Sequence, residues 1–242
     1  MLKIKEIRIS SLYIFLIPVI SINICLVLTQ IFPYGEGPFA TGDAINDPSN
    51  PWVIPYIDGG ASISRVVRVF PNSLIFKPAM IITSILLIYY WLNLKETLIK
   101  INLNDTKINK MIFCGVISAI CLALHAIFLG LDFELKIFKL LRRLVLLSFI
   151  FFEVIAQTLL VIIFLKHIDK VLNFINIKIL RLKKILVIFL IFFALITLPF
   201  LPFNNLKIIK YALEWNYFIG VNSFYLLSFV MWKKLNYNPS TT

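Results

Sequence analysis

Acidic residues are scarce in this chain, twelve against twenty-four lysines and arginines, and cysteine (three) and histidine (two) are scarcer still. A zinc site takes three or four ligands, usually His or Cys at short spacings. His125 and His167 lie far apart and are expected on opposite sides of a membrane, so neither a metal nor any other cofactor is expected. Cys25, Cys114 and Cys121 all sit inside apolar runs, which rules out a disulfide framework in an outer loop. Neither a G-x-S-x-G elbow nor a phosphate-binding loop occurs. Polar stretches of domain length are missing too, and without an internal repeat or a low-complexity tail, residues 1–242 are expected to form one membrane domain.

What the chain has in abundance is apolar surface. Hydrophobic residues make up 60% of it and mean hydropathy is +0.91, well beyond the roughly one half typical of soluble domains, so the solvent for most of the chain is lipid. The net charge of +12 would suggest nucleic acid in a soluble protein, but here the cations fall almost entirely between the apolar runs, and no nucleic-acid partner is expected. A hydrocarbon core of about 30 Å is crossed by about 20 apolar residues in helix. Six stretches qualify, near 11–32, 73–94, 111–131, 144–165, 185–203 and 211–232. None shows strand alternation, and only helices or closed barrels satisfy every backbone group in lipid. The expected fold is all-α: a polytopic membrane protein of six transmembrane helices with a long outer loop, 33–72, between the first two. Pro18 is expected to kink the first helix, and Pro199 with Pro202 to end the fifth.

With the N-terminus placed in the cytoplasm, fifteen cations, Lys183 among them, fall on the inner side and nine on the outer. That balance follows the positive-inside rule and puts both termini inside. Lys3, Lys5 and Arg8 precede an apolar run without a small-residue cleavage pattern, which predicts a retained first helix in a multi-pass protein of the plasma membrane, the inner membrane in a bacterium. Four of the outer cations come from 132–143, where apolar residues recur at helical spacing; the segment is either a short amphipathic helix on the surface or a solvated, mixed-charge loop. The inner connector 166–184 is expected to anchor to anionic lipid, at about 1 kcal/mol per basic residue. In the outer loop, 33–51 is rich in Gly, Pro, Asn and Asp and predicts turns. From Trp52 onward the loop becomes amphipathic and is expected to pack onto the helices.

A charged group at mid-bilayer costs about 2.5–3.5 kcal/mol or more, so acids inside the spans are functional candidates. Glu153, with Gln157 one turn deeper, lies well inside the fourth span, and Glu214 lies in the first turn of the sixth. Tyr211, Glu214, Phe218, Asn222 and Tyr225 share one side of that helix, as Cys114, Ser118, Cys121 and His125 share one face of the third. Turned toward one another, these faces would line an outward-facing polar cavity with His125, Glu153, Gln157, Glu214 and Asn222, and with Asp58, Arg65, Arg68 and Lys77 at its mouth. Guanidinium groups suit phosphate, which makes a lipid head group the natural ligand. The competing expectation is that the same Glu, Gln and Asn side chains join helices by hydrogen bonds worth about 0.6 kcal/mol each, and that His125 is a packing residue.

The run Pro55-Tyr56-Ile57-Asp58, then Gly60, then Arg68-Val69-Phe70 leading into the second helix, resembles the first-loop signature of the Frag/DRAM/Sfk family of six-span membrane proteins. Glu214-Trp215 at the head of the last helix is similar to the Glu-Trp or Glu-Tyr that opens that family's last span. The chain departs from the pattern where a Ser is usual between Ile and Asp, and where Ser62-Ile63 stands in place of a Pro-rich piece. Autophagy modulators and GPI-lipid-remodelling factors are among the family's members. The resemblance implies a protein that handles or organises membrane lipids, with Tyr56, Asp58, Arg68, Glu214 and Trp215 as the matching positions.

Binding of a lipid or lipid head group, in the service of membrane organisation or remodelling, is thus the leading expectation, with membrane lipids as partners. An intramembrane acyltransferase or hydrolase using Glu153 or His125 as base is a second, and a small proton-coupled transporter using Glu153 a third. Inverted repeats and paired discontinuous helices, which would favour the third, are missing.

Overall fold

The computed structural model describes residues 2–31, 53–68, 70–129, 136–197 and 207–233. They form α1 (Ile4–Ile31), α2 (Pro55–Asp58), α3 (Ile63–Arg68), α4 (Asn72–Lys100), α5 (Lys107–Phe128), α6 (Lys136–Lys166), α7 (Ile168–Val171), α8 (Ile177–Thr197) and α9 (Lys207–Met231). Among the described residues the extended pairing is a single antiparallel bridge between Ile175 and Trp232. The first part of the outer loop, Val69, the connector around Asp132 and Glu134, and the Pro199 and Pro202 positions lie outside the described residues.

Four helices are long and apolar enough to cross a membrane: Ile4–Ile31, Asn72–Lys100, Lys107–Phe128 and Leu140–Lys166. Helices α8 and α9 occupy the places of the expected fifth and sixth spans but do not qualify by length and composition. Arg181, Lys183 and Lys184 crowd the first part of α8, and Glu214, Asn216 and Asn222 dilute the hydropathy of α9. Several helices run past the apolar windows that predicted them. The first begins at Ile4 and the second ends at Lys100, because backbone hydrogen bonding continues where side chains turn from lipid to water. For the same reason the basic stretch from Lys136 to Arg143 is the opening of α6 itself, neither a separate surface helix nor a loop.

The six long helices close into a ring. In order, α1 packs on α4, α4 on α5, α5 on α6, α6 on α8, α8 on α9, and α9 on α1. Aromatic residues fill the ring, with Trp91, Trp215, Trp232, Tyr90, Tyr225 and Phe224 fully buried, while Ile85, Phe113, Phe151, Ile185 and Phe192 project outward as a lipid-compatible surface. Trp91 lies across α5 at Gly115, where a Cβ would come within 2.5 Å of the indole. Glycine is the residue that lets these two helices approach so closely.

Two polar clamps fix the ends of the ring. At one end the Nδ2 of Asn72, fully buried, lies within bonding distance of Cys25 O (3.0 Å), Thr29 Oγ1 (2.7 Å) and Val66 O (2.7 Å), its two hydrogens shared among the three acceptors, and so ties α3 and α4 to α1. At the other, Asp105 in the α4–α5 turn accepts from Lys166 Nζ (2.9 Å), from the Lys107 backbone N–H (2.9 Å) and, through Oδ2, meets His167 Nε2 at 3.1 Å. Lys166 above all, with the Lys107 amide and His167, holds the Asp105 carboxyl well below its usual value.

Gly115→Ala is expected to destabilise the protein by about 1–3 kcal/mol through overpacking against Trp91, read as a lower midpoint in thermal unfolding of the detergent-solubilised chain. Because Asp105 titrates lower when folded than unfolded, its contribution is complete above the unfolded value, about 4, and is lost as pH falls through the folded one. Asp105→Asn should therefore flatten the acid limb of the stability profile while lowering stability at neutral pH.

Candidate functional site

The head of α9 carries three consecutive polar side chains against the 53–68 segment. The Glu214 carboxyl faces the backbone N–H groups of Ile63 and Ser64, the first two residues of α3, whose donors have no partner within the helix itself. Trp215 Nε1 donates to Ala61 O at 2.8 Å, and Asn216 Nδ2 to Tyr56 O at 2.7 Å. The Tyr56 and Trp215 rings meet edge to face at 4.9 Å, and the Tyr56 hydroxyl donates to Asn23 Oδ1 of α1 at 3.2 Å. Burial pushes the Tyr56 phenol up, partly countered by Asn23.

Asp58 belongs to the loop's own architecture. Its Oδ2 accepts Ile54 N–H (2.6 Å) and its Oδ1 accepts Gly60 N–H (2.9 Å). Between them Gly59, at φ +62°, closes α2 in the left-handed region, and a Cβ there would stand 1.9 Å from Ile208 O. Backbone lies directly on backbone at that point, so Gly59 is required both for its conformation and for its lack of a side chain. Arg65 sits over the Tyr211 ring at 5.8 Å, and Arg68 ends α3, half-buried.

A second cluster lies at mid-helix. Glu153 stands thirteen residues from each end of the Leu140–Lys166 span, about 20 Å from either at 1.5 Å per residue, and is 1% exposed. Ser118 Oγ of α5 lies 2.6 Å from its Oε2, Gln157 Nε2 donates to its Oε1 at 2.9 Å, and the Tyr225 hydroxyl of α9 bonds to Oε1 as well. The Tyr90 and Tyr225 rings are in edge contact at 5.2 Å, and Tyr90 donates to Ser228 Oγ at 3.3 Å. The same Ser228 oxygen accepts Lys183 Nζ at 2.7 Å. Lys183 is wholly buried, its Nζ 3.7 Å from the Phe224 ring centre.

The single cavity expected from the sequence resolves into these two clusters. Glu153 and Gln157 come together with Ser118 and Tyr225, whereas Glu214 joins the outer loop eleven residues earlier on α9, about 16 Å away along the helix axis. His125 belongs to neither: it lies seven residues beyond Ser118 on α5, about 10 Å further along, beside the backbone of Arg142. Asn222 bonds back to Phe218 O at 2.8 Å within its own helix. Side chains on one face share a direction but not a depth, which is why the helical spacing merged them.

The sequence reading missed Asn72, Asn216, Tyr90, Ser228 and, above all, Lys183, which it assigned to the inner flank. The signal was there: Leu180, Lys183, Val187 and Leu190 fall on one face of α8, and all four are buried. Among the described residues there is no group of three or more His, Cys, Asp or Glu able to hold a metal ion.

No protein-family model, curated protein or solved structure matches the chain. The geometry defines the class: an all-helical protein with four helices long and apolar enough to cross a membrane, a 53–68 segment fastened to α9, and buried polar clusters.

Glu214→Ala is expected to leave the α3 amides uncapped, costing about 1 kcal/mol locally. Hydrogen exchange at residues 61–66 should quicken by about fivefold, with the rest of the bundle unchanged.

Proposed function

We propose that the protein is a six-span membrane protein, both termini in the cytoplasm, that engages the phosphate of a membrane lipid at the outer rim formed by α3 and the start of α4, and so takes part in lipid organisation or remodelling. The supporting observation is a fixed rim of mixed character. Arg65, Arg68 and Lys77 lie half-buried on a segment whose apolar neighbours Ile57 (80% exposed), Phe70 (70%) and Leu74 (64%) turn outward. Cations beside outward apolar side chains suit the boundary between head groups and acyl chains. The latch from Glu214, Trp215 and Asn216 holds this segment in place, so little ordering is left for lipid to impose on binding. The likeness of the loop and of Glu214-Trp215 to the Frag/DRAM/Sfk pattern points in the same direction.

An enzyme using Glu153 with His125 draws no support from the geometry, since the two stand far apart and the Glu153 oxygens are taken up by Ser118, Gln157 and Tyr225. Native mass spectrometry with lipidomics on gently purified protein tests the rim. A phospholipid should co-purify with the wild type and be lost from Arg68→Ala; a charge-assisted hydrogen bond of about 1.5–3 kcal/mol corresponds to about ten- to hundredfold weaker retention. Glu214→Gln, which loosens the latch, should lower retention less. Equal lipid content in all three proteins would sink the proposal.

A further inference from the structure

We propose that Glu153 is a proton-binding site at the centre of the helix ring, with the proton carried on Oε2. The observation is a count of protons at Ser118. Its hydroxyl has a single hydrogen and can accept through its lone pairs, yet Ser118 Oγ lies within bonding distance of two acceptors, Glu153 Oε2 at 2.6 Å and Gly115 O at 2.9 Å. With Glu153 ionised, one of those contacts lacks a hydrogen. With a proton on Oε2, both are made: Glu153 donates to Ser118, and Ser118 donates to Gly115 O.

The other oxygen is arranged to match. Oε1 receives the Tyr225 hydroxyl and Gln157 Nε2, and the Gln157 amide is oriented by a second bond from the same nitrogen to Val221 O at 3.3 Å. Oε1 is thereby marked as the carbonyl oxygen of the acid and Oε2 as its hydroxyl. The remaining hydroxyls nearby have their hydrogens committed in the same sense, Tyr90 to Ser228 and Ser228 to Phe224 O. The titratable groups facing the site are Tyr225 from α9 and Tyr90 from α4, with Lys183 of α8 reached through Ser228. Both oxygens are engaged by partners and the residue is 1% exposed, so the species the carboxyl takes up is a proton rather than a larger ion. On uptake, a proton from the aqueous phase comes to rest on Oε2 and the Ser118 hydrogen turns to Gly115 O; release reverses both movements. The Ser118–Glu153 bond between α5 and α6 is kept in both states with its direction reversed, and the Ser118 bond to Gly115 O within α5 is the one that changes with the charge.

Infrared difference spectroscopy on the full-length protein in nanodiscs tests this. The expected result at neutral pH is a carboxylic-acid C=O band that is absent in Glu153→Gln, present in Glu214→Gln, and shifted to higher frequency in Ser118→Ala, where the acid loses its acceptor. If Glu153→Gln does not fold, the band in wild type grown with isotope-labelled glutamate, and its displacement in Ser118→Ala, carry the test. A difference spectrum containing carboxylate bands alone would overturn the proposal. A C=O band that disappears with Glu214→Gln, or one indifferent to Ser118→Ala, would overturn it equally.

Discussion

Polar side chains enclosed by apolar helices must find their partners within the chain, and in this protein that requirement fixes which helices stand next to which. Lipid tails are as apolar as the helix surfaces, so burial of Leu and Phe gives little reason for one ring order over another. The contacts around Glu153 are specific. Ser118 brings α5, Tyr225 brings α9, and Glu153 itself belongs to α6. A second set, Tyr90, Lys183 and Ser228, joins α4 and α8 to α9 and meets the first through the edge contact of the Tyr90 and Tyr225 rings. Five of the six long helices therefore contribute to these two adjoining polar sets. The sixth, α1, is fastened separately, by Asn72 and by the stacking of Arg8 on Phe229.

The two ends of the ring are treated differently. At the Asp105 end the connections are short and ionic, made between turns, and they respond to pH through a carboxyl whose titration is displaced by its cationic neighbours. At the loop end the connections run from side chain to backbone: Trp215, Asn216 and Asn72 each bond main-chain groups of the 53–68 segment. Bonds to backbone groups hold a loop in one conformation whatever its side chains are. Arg65, Arg68 and their apolar neighbours are thus presented on a fixed frame.

Much of this organisation was legible in the sequence. Apolar runs located the long helices, and the change of character at Trp52 marked where the loop packs. Glu153 and Gln157 were recognisable as a pair by their spacing, and Glu214 by its position. Depth and partnership were harder to read. Helical periodicity reports direction around an axis, so it groups Glu214, Asn222 and Tyr225 although the first and last stand eleven residues apart on α9, about 16 Å along its axis. Distance from the apolar window makes Lys183 a flanking cation; its own helix starts earlier, and the side chain is buried with Leu180 and Val187. Asn72 and Gly115 matter through neighbours remote in the chain, which a reading by local pattern does not supply.

Helix α9 has a further consequence. Its first turns hold the outer loop, its middle supplies Tyr225 to the Glu153 cluster, and its far end is joined to the connector between α7 and α8, where Asn176 N–H bonds Met231 O at 2.8 Å and Lys233 N–H bonds Phe174 O at 2.9 Å. A helix of 25 residues is about 37 Å long, comparable to the bilayer's full thickness. Fastened at both ends and in the middle, it joins the 53–68 segment, the Glu153 cluster and the α7–α8 connector along a single rod.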